Sequence, residues 1–196
     1  MNRALRQAGI AFLIAASIAL AAVGDVVERT IEDRLAAFAQ QLRMGLTLST
    51  LAAYSPTIED LRVHAQQLVN LLEGARGPHF TRPAQSIEGA AGLIAEASAF
   101  GVRFEETLPD PEPRVRVLLA TKNIRFYLTE ALSEALAGLE ERRFDRASMA
   151  LLRAYAYLLA AYERPGDGAS VPGTWTILRA HGLAERLAVE AESETP

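Results

Sequence analysis

Histidine is the residue on which metal or proton chemistry would depend in this chain, because the sequence contains three histidines and no cysteine. His64 has the most informative position. It shares a helical face with Leu61, Leu68 and Leu71, since residues three, four or seven positions apart lie on one side of an α-helix. The pattern predicts that His64 points into a helical bundle, where a neutral imidazole binds a metal ion or haem iron or transfers a proton. The alternative is a core histidine that donates one hydrogen bond to a neighbouring helix.

His79 is the nearest candidate partner for His64. It lies in the loop after the same predicted helix, in the segment GARGPHF at residues 74–80, and such a loop can fold back over the helix. No His-x-x-x-His or Glu-x-x-His pattern occurs, so a ferritin-like site for two metal ions has no support. Metal sites bring several ligands together. A metal or haem site centred on His64, assisted by His79 and a carboxylate such as Glu96, is therefore the second hypothesis and not the first.

Arg125 interrupts an apolar stripe, because it shares a helical face with Leu118, Thr121 and Leu128. A buried guanidinium requires a carboxylate partner, since an unpaired charge loses several kcal/mol on leaving water. Glu96, at the edge of the preceding helix, is the candidate partner. In the alternative structure, the Arg125 side chain runs along its apolar neighbours to solvent. The functional hypothesis for Arg125 is an anion site in a cleft between helices.

Other chemistries find no support in the sequence. The absence of cysteine excludes disulfides, thiolate metal sites and thiol catalysis. No Gly-x-Ser-x-Gly turn and no glycine-rich phosphate loop with lysine occurs, so we expect no enzymatic activity of those types. The segment 166–168 (Gly-Asp-Gly) lacks the alternating acidic residues of a calcium loop and predicts a turn. The formal net charge of −4 argues against nucleic-acid binding.

Residues 1–24 have the pattern of a secretory signal peptide. Arg3 and Arg6 precede an apolar run from residue 8 to residue 23, and small side chains at 19–21 and 22–24 suit a signal peptidase. The alternative is an uncleaved anchor, since the run approaches the ~20 apolar residues that cross a bilayer. Amino-terminal sequencing distinguishes the two, because an intact Met1 on exported protein would favour the anchor. Either way we expect an exported protein, periplasmic or extracellular, that contacts a membrane only through an uncleaved leader.

The remaining chain predicts an all-α fold. Apolar residues recur at helical spacing, and no segment shows sustained alternation with β-branched residues. We expect a bundle of five to six amphipathic helices after the signal peptide, as a single domain over 25–191, with a frayed tail at 192–196. Ser55 and Pro56 predict a helix start, whereas Gly74 and Gly101 predict helix ends. The predicted helices span residues 25–54, 56–73, 86–100, 114–139, 145–163 and 174–190.

These observations lead to two functional hypotheses. The first is a non-enzymatic extracytoplasmic helical domain that binds a partner protein or a small ligand, or has a structural role in the envelope, without a cofactor. The second is the metal- or haem-binding bundle centred on His64. The candidate ligand-binding residues are His64, His79, Glu96 and Arg125.

Overall fold

The computed structural model describes residues 31–81, 91–107, 111–162 and 172–181. The predicted signal peptide, the frayed tail and the turn at 166–168 lie outside these ranges. The chain divides into two compact units, Met1–Ala36 and Ala37–Pro196. In the first unit, residues 31–36 are helical. The packing described below is that of the second unit, and the single domain over 25–191 stays a prediction.

Six helices account for most of the described residues, which confirms the predicted all-α class. Within the described ranges there is no strand, only an isolated antiparallel bridge between Gly74 and Ala91. None of the described helices combines the length and apolar character needed to cross a membrane. The helices are α1 (31–53), α2 (Ile58–Glu73), α3 (Leu93–Thr107), α4 (Pro111–Glu140), α5 (Phe144–Tyr162) and α6 (Thr174–Ala180).

The ends of α2 follow from local hydrogen bonding. Thr57 is the N-cap, and its hydroxyl oxygen accepts a hydrogen bond from the backbone N–H of Asp60 at 3.1 Å. Ser55, the predicted cap, instead donates to the carbonyl of Leu51 at 2.7 Å, so the helix begins later than predicted. Gly74 ends α2 with a positive φ of 75°, which confirms the predicted glycine end.

The boundaries of α3 and α4 differ from the prediction. Gly101 does not end a helix, because α3 continues through it to Thr107. The helix α4 begins at Pro111, three residues before the predicted start. Proline is tolerated in a first helical turn, where a backbone N–H has no intrahelical partner. Pro111 and Pro113 therefore lie in the first turn of α4.

The helix α4 lies at the centre of this unit and packs against α2, α3, α5 and α6. Its inward face is marked by Val117, Ile124 and Leu128, which are fully or almost fully buried. Between α4 and α5, Gly138 permits close approach, because a Cβ there would overlap the Leu151 side chain. This arrangement makes α4 the helix that fixes the positions of the others.

An aromatic cluster joins α1 to α3. The rings of Phe38 and Phe100 meet edge to face with centroids 5.4 Å apart, and Phe100 stacks on Phe104 at 5.9 Å. All three side chains are buried. Such pairs add to the stabilisation that comes from burying their apolar area. The cluster therefore fixes the inner face of α3 and turns the opposite side of this helix toward solvent.

The chain before α3 packs closely against the end of α2. A Cβ on Gly92 would overlap the backbone of Glu73 and Gly74. The contact leaves no room for a side chain on Gly92. This residue precedes α3, although residues 86–100 were predicted to form a helix.

Candidate functional site

A cleft opens between α3 and α4, with a volume of about 210 Å³. It is called the α3–α4 cleft below. Among the described residues, three from α3 and four from α4 line it. The lining consists of Ser98, Gly101, Val102, Leu118, Thr121, Lys122 and Arg125.

Gly101 lines the α3–α4 cleft at a point where α3 and α4 approach each other closely. A Cβ at this position would lie 3.3 Å from the Thr121 Cγ2 atom, which is closer than ordinary van der Waals contact. The glycine lies inside α3, where it destabilises a helix by about 1 kcal/mol relative to alanine. The absence of a side chain at Gly101 therefore lets α3 and α4 pack closely at this point.

The two hydroxyl groups of the cleft already donate hydrogen bonds. Thr121 Oγ1 donates to the Val117 carbonyl and Ser98 Oγ donates to the Ile94 carbonyl, each at 2.9 Å. Both bonds lie within a single helix, so they hold the hydroxyls against the backbone. Recognition of a charged ligand in the α3–α4 cleft therefore depends on its two cations.

Lys122 and Arg125 supply positive charge at the α3–α4 cleft. Both residues are exposed, and neither side-chain cation has a hydrogen-bond or ion-pair partner among the described residues. On the same helix, Arg116 pairs with Glu112 at 3.1 Å. Like charges three residues apart on a helix repel each other. The α3–α4 cleft thus carries two adjacent cations in a protein with an acidic net charge.

The position of Arg125 settles the alternatives left by the sequence. Arg125 is exposed, so the prediction of a buried guanidinium is wrong. The alternative, in which the side chain reaches solvent, is confirmed. At 100° per residue, Arg125 lies about 80° around the helix from Val117, at the shoulder of the buried face and not at its centre. Glu96 is half-buried on α3 and is not part of the cleft lining, and no ion pair joins it to Arg125.

The prediction that His64 points into the bundle is wrong. The residue is half-buried, and its Nδ1 atom lies 3.2 Å from Gln67 Oε1 at an exposed position on α2. The buried face of α2 is centred on Leu61, Ala65 and Leu68. His64 lies about 60° around the helix from Leu61, on the side away from Ala65. It therefore flanks the core without entering it.

The loop that contains His79 does fold back over α2, as the sequence suggested. The backbone N–H of His79 donates to Glu73 Oε2 at 2.9 Å, and its Nδ1 atom lies 2.7 Å from Glu73 Oε1. Two turns earlier on α2, Gln66 donates to the His79 carbonyl at 2.9 Å. The Glu73 side chain is only 6% exposed. These contacts give His79 a role in holding the loop against the helix.

A metal centre receives no support from the described part of the chain. No group of three or more histidine, cysteine, aspartate or glutamate side chains that could hold a metal ion occurs there. His64 and His79 each contact a side chain of α2, and neither lines the α3–α4 cleft. The role of His64 as a metal ligand remains a prediction without a structural observation in its favour.

Of the four predicted ligand-binding residues, only Arg125 lines the α3–α4 cleft. Lys122 was missed, although one signal was present: it is the only lysine of the chain and precedes Arg125 by three residues on the same helix. The contributions of Ser98, Gly101 and Val102 depend on how α3 packs against α4, and no sequence spacing indicates that packing.

The chain was also compared with known proteins. No protein-family model, curated protein or solved structure matches it significantly. Its function is therefore inferred from the chemistry of the α3–α4 cleft.

Proposed function

We propose that the protein is an exported, non-enzymatic binding protein whose α3–α4 cleft binds a small anion. One observation carries this proposal: Lys122 and Arg125 line the same cleft, and neither has a carboxylate partner among the described residues. An anion bound between the two cations would relieve their mutual repulsion. Export is supported by the signal-peptide pattern of residues 1–24.

The two cations suit a carboxylate or phosphate group. The guanidinium of Arg125 is planar and donates two parallel hydrogen bonds to such a group, whereas the ammonium of Lys122 acts as a point charge. Both lie at an open cleft, so water weakens each interaction. We therefore expect an affinity in the micromolar to millimolar range.

Binding without catalysis is supported by the composition of the α3–α4 cleft. Among the described residues, its lining contains no histidine, aspartate or glutamate that could act as a general base. The hydroxyls of Ser98 and Thr121 donate to helix carbonyls, so neither is activated as a nucleophile. In the described part of the lining, this donor set holds an anion and offers no proton acceptor beside it.

Calorimetric titration of the full chain with hexanoate, succinate and phosphate tests this proposal. We expect at least one of the three anions to bind, and Arg125→Gln to weaken that binding about tenfold, or ~1.4 kcal/mol, through loss of a charged hydrogen-bond donor. Lys122→Gln should weaken it less, about threefold, because an ammonium is strongly hydrated.

Arg76→Gln is the matched control, since Arg76 is an exposed arginine in the loop after α2 and outside the cleft lining. This variant should bind as the wild type does. The proposal fails if none of the three anions binds. It also fails if Arg125→Gln and Arg76→Gln have the same affinity.

A further inference from the structure

An exposed apolar stripe runs along α4 beside the α3–α4 cleft. It consists of Val115, Leu119 and Phe126, which are 63%, 47% and 57% exposed, and it is called the outer stripe below. Their spacing of four and seven residues places all three on one face of the helix. This face points away from the core, because each residue lies about 160–180° around α4 from the buried Val117. Large apolar side chains grouped in this way indicate a binding surface more often than single exposed ones do.

Lys122 connects the outer stripe to the α3–α4 cleft. It lines the cleft, and it also lies between Leu119 and Phe126 on the outward face of α4. A ligand whose anionic group contacts Lys122 and Arg125 would therefore have apolar surface directly beside it. From Lys122 to Val115 this surface extends about 10 Å along the helix axis.

The α3 side of the cleft adds to this apolar surface. Val102 lines the α3–α4 cleft and is itself exposed, and Leu118 lines it from α4. The cleft therefore has a charged part, formed by Lys122 and Arg125, and an apolar part that continues onto Leu119. This pairing of charges with apolar surface is complementary to a molecule that has one anionic end and one apolar end.

The limited length of the outer stripe favours a small ligand over a long partner helix. Beyond Phe126, the next two residues on the same face are Thr129 and Ser133, and both are polar and exposed. A helical partner would need apolar contacts over several further turns. The apolar surface instead ends within about three turns of α4.

We propose that the ligand is an amphipathic anion, namely a medium-chain alkyl carboxylate. Its carboxylate binds Lys122 and Arg125 in the α3–α4 cleft, and its alkyl chain lies on Leu118, Leu119 and Val115. This inference rests on the proposed function and specifies its ligand class.

Calorimetric titration of the full chain with acetate, butyrate, hexanoate and octanoate tests the ligand class. Full burial of a methylene group corresponds to about a fourfold gain in affinity. Because the outer stripe covers the alkyl chain from one side, we expect about a twofold gain per methylene, roughly sixtyfold from acetate to octanoate. The variant Leu119→Ser should reduce the gain for octanoate about fivefold and leave acetate binding unchanged.

Leu51→Ser is the matched control, because Leu51 lies on α1 and is also 47% exposed. It should show the chain-length dependence of the wild type. Equal affinity for all four carboxylates, or equal behaviour of the two serine variants, would overturn the inference. Tightest binding by phosphate or succinate would also overturn it. In these cases loss of binding in Arg125→Gln would still support the proposed function, whereas absence of binding by every anion removes the proposed function itself.

A second copy of the chain is the other occupant that the outer stripe could accept. Sedimentation velocity of the wild type and of Leu119→Ser at several protein concentrations tests whether the chain dimerises through the outer stripe. We expect the same sedimentation coefficient for both. Concentration-dependent dimers that Leu119→Ser abolishes would overturn the inference, since the outer stripe would then be covered by protein.

Discussion

At the scale of single residues, Gly92 and Gly45 show how differently two buried glycines are used. A Cβ on Gly92 would overlap backbone atoms of Glu73 and Gly74, whose positions are fixed by the end of α2. A Cβ on Gly45, within α1, would lie 3.5 Å from Leu158 Cδ2, which is ordinary contact. Gly92 is therefore required by space, whereas Gly45 is not.

We predict that Gly92→Ala lowers the free energy of unfolding by about 3 kcal/mol, because the backbone must shift to admit the methyl group. Gly45→Ala should leave stability unchanged or raise it by up to about 1 kcal/mol, the difference in helix propensity between the two residues. Urea denaturation of the two variants and the wild type measures both effects. Equal stability of the two alanine variants would contradict the predicted overlap.

The predictions of burial for two polar residues were wrong for the same physical reason. His64 and Arg125 each have apolar neighbours three and four positions away, which predicted burial. Both lie at the edge of a buried face about 100° wide, where a polar side chain reaches solvent. A residue at the edge of a buried face can be distinguished from an interior residue only when the centre of that face is known. The centre lies at Leu61 on α2 and at Val117 on α4, and several residues of each stripe are needed to locate it.

At the scale of helices, the short connection between α4 and α5 is held by charged groups. The Glu141 carboxylate accepts hydrogen bonds from the backbone N–H groups of Arg142 and Arg143, at 2.8 and 3.0 Å, and these bonds lower its pKa. Two hydrogen bonds from the Arg143 guanidinium, at 3.2 and 2.8 Å, likewise lower the pKa of Asp145 in the first turn of α5. Ionised carboxylates therefore stabilise the start of α5.

This arrangement predicts that Glu141→Gln lowers the melting temperature at about pH 7 and has a smaller effect at about pH 3. A carboxylate whose pKa is lowered by folding stabilises the protein when it is ionised, above its ordinary pKa of 4.5. That contribution is lost as the pH falls through the lower pKa of the folded state, since the carboxyl group is then protonated in both states. Thermal denaturation monitored by circular dichroism at both pH values measures the difference.

Glu140→Gln provides the control for that experiment. Glu140 is the exposed neighbouring residue, and its side chain makes no hydrogen bond with the described residues. The control variant should melt as the wild type does at both pH values. A decrease in the melting temperature of Glu141→Gln that is equally large at about pH 3 and about pH 7 would show that charge is not the cause.

The existence of the helices was predictable, but some of their ends were not. Local signals located the end of α2 correctly, because Gly74 adopts a positive φ, for which glycine is suited. The same residue type at Gly101 lies inside α3, because a glycine can also be kept where another helix packs closely. Sequence alone does not separate these two uses, since the second depends on the position of Thr121 on α4.

At the scale of the whole molecule, the all-α class followed from hydrophobic periodicity, whereas the α3–α4 cleft did not. The cleft requires residues of two helices to meet, and its seven lining residues span positions 98 to 125. Arg125 could be recognised from α4 alone as a charge within an apolar stripe. Its neighbours Gly101 and Val102 acquire a role only after α3 packs on α4. Export through residues 1–24 remains a prediction.

Backbone amide chemical shifts, measured by NMR while the full chain is titrated with octanoate, test most directly whether an anion binds in the α3–α4 cleft. We predict the largest shift changes at residues 98–102 and 118–126, with these changes lost in Arg125→Gln. Largest changes around His64 and His79, or an unchanged pattern in Arg125→Gln, would contradict the assignment of the α3–α4 cleft as the binding site.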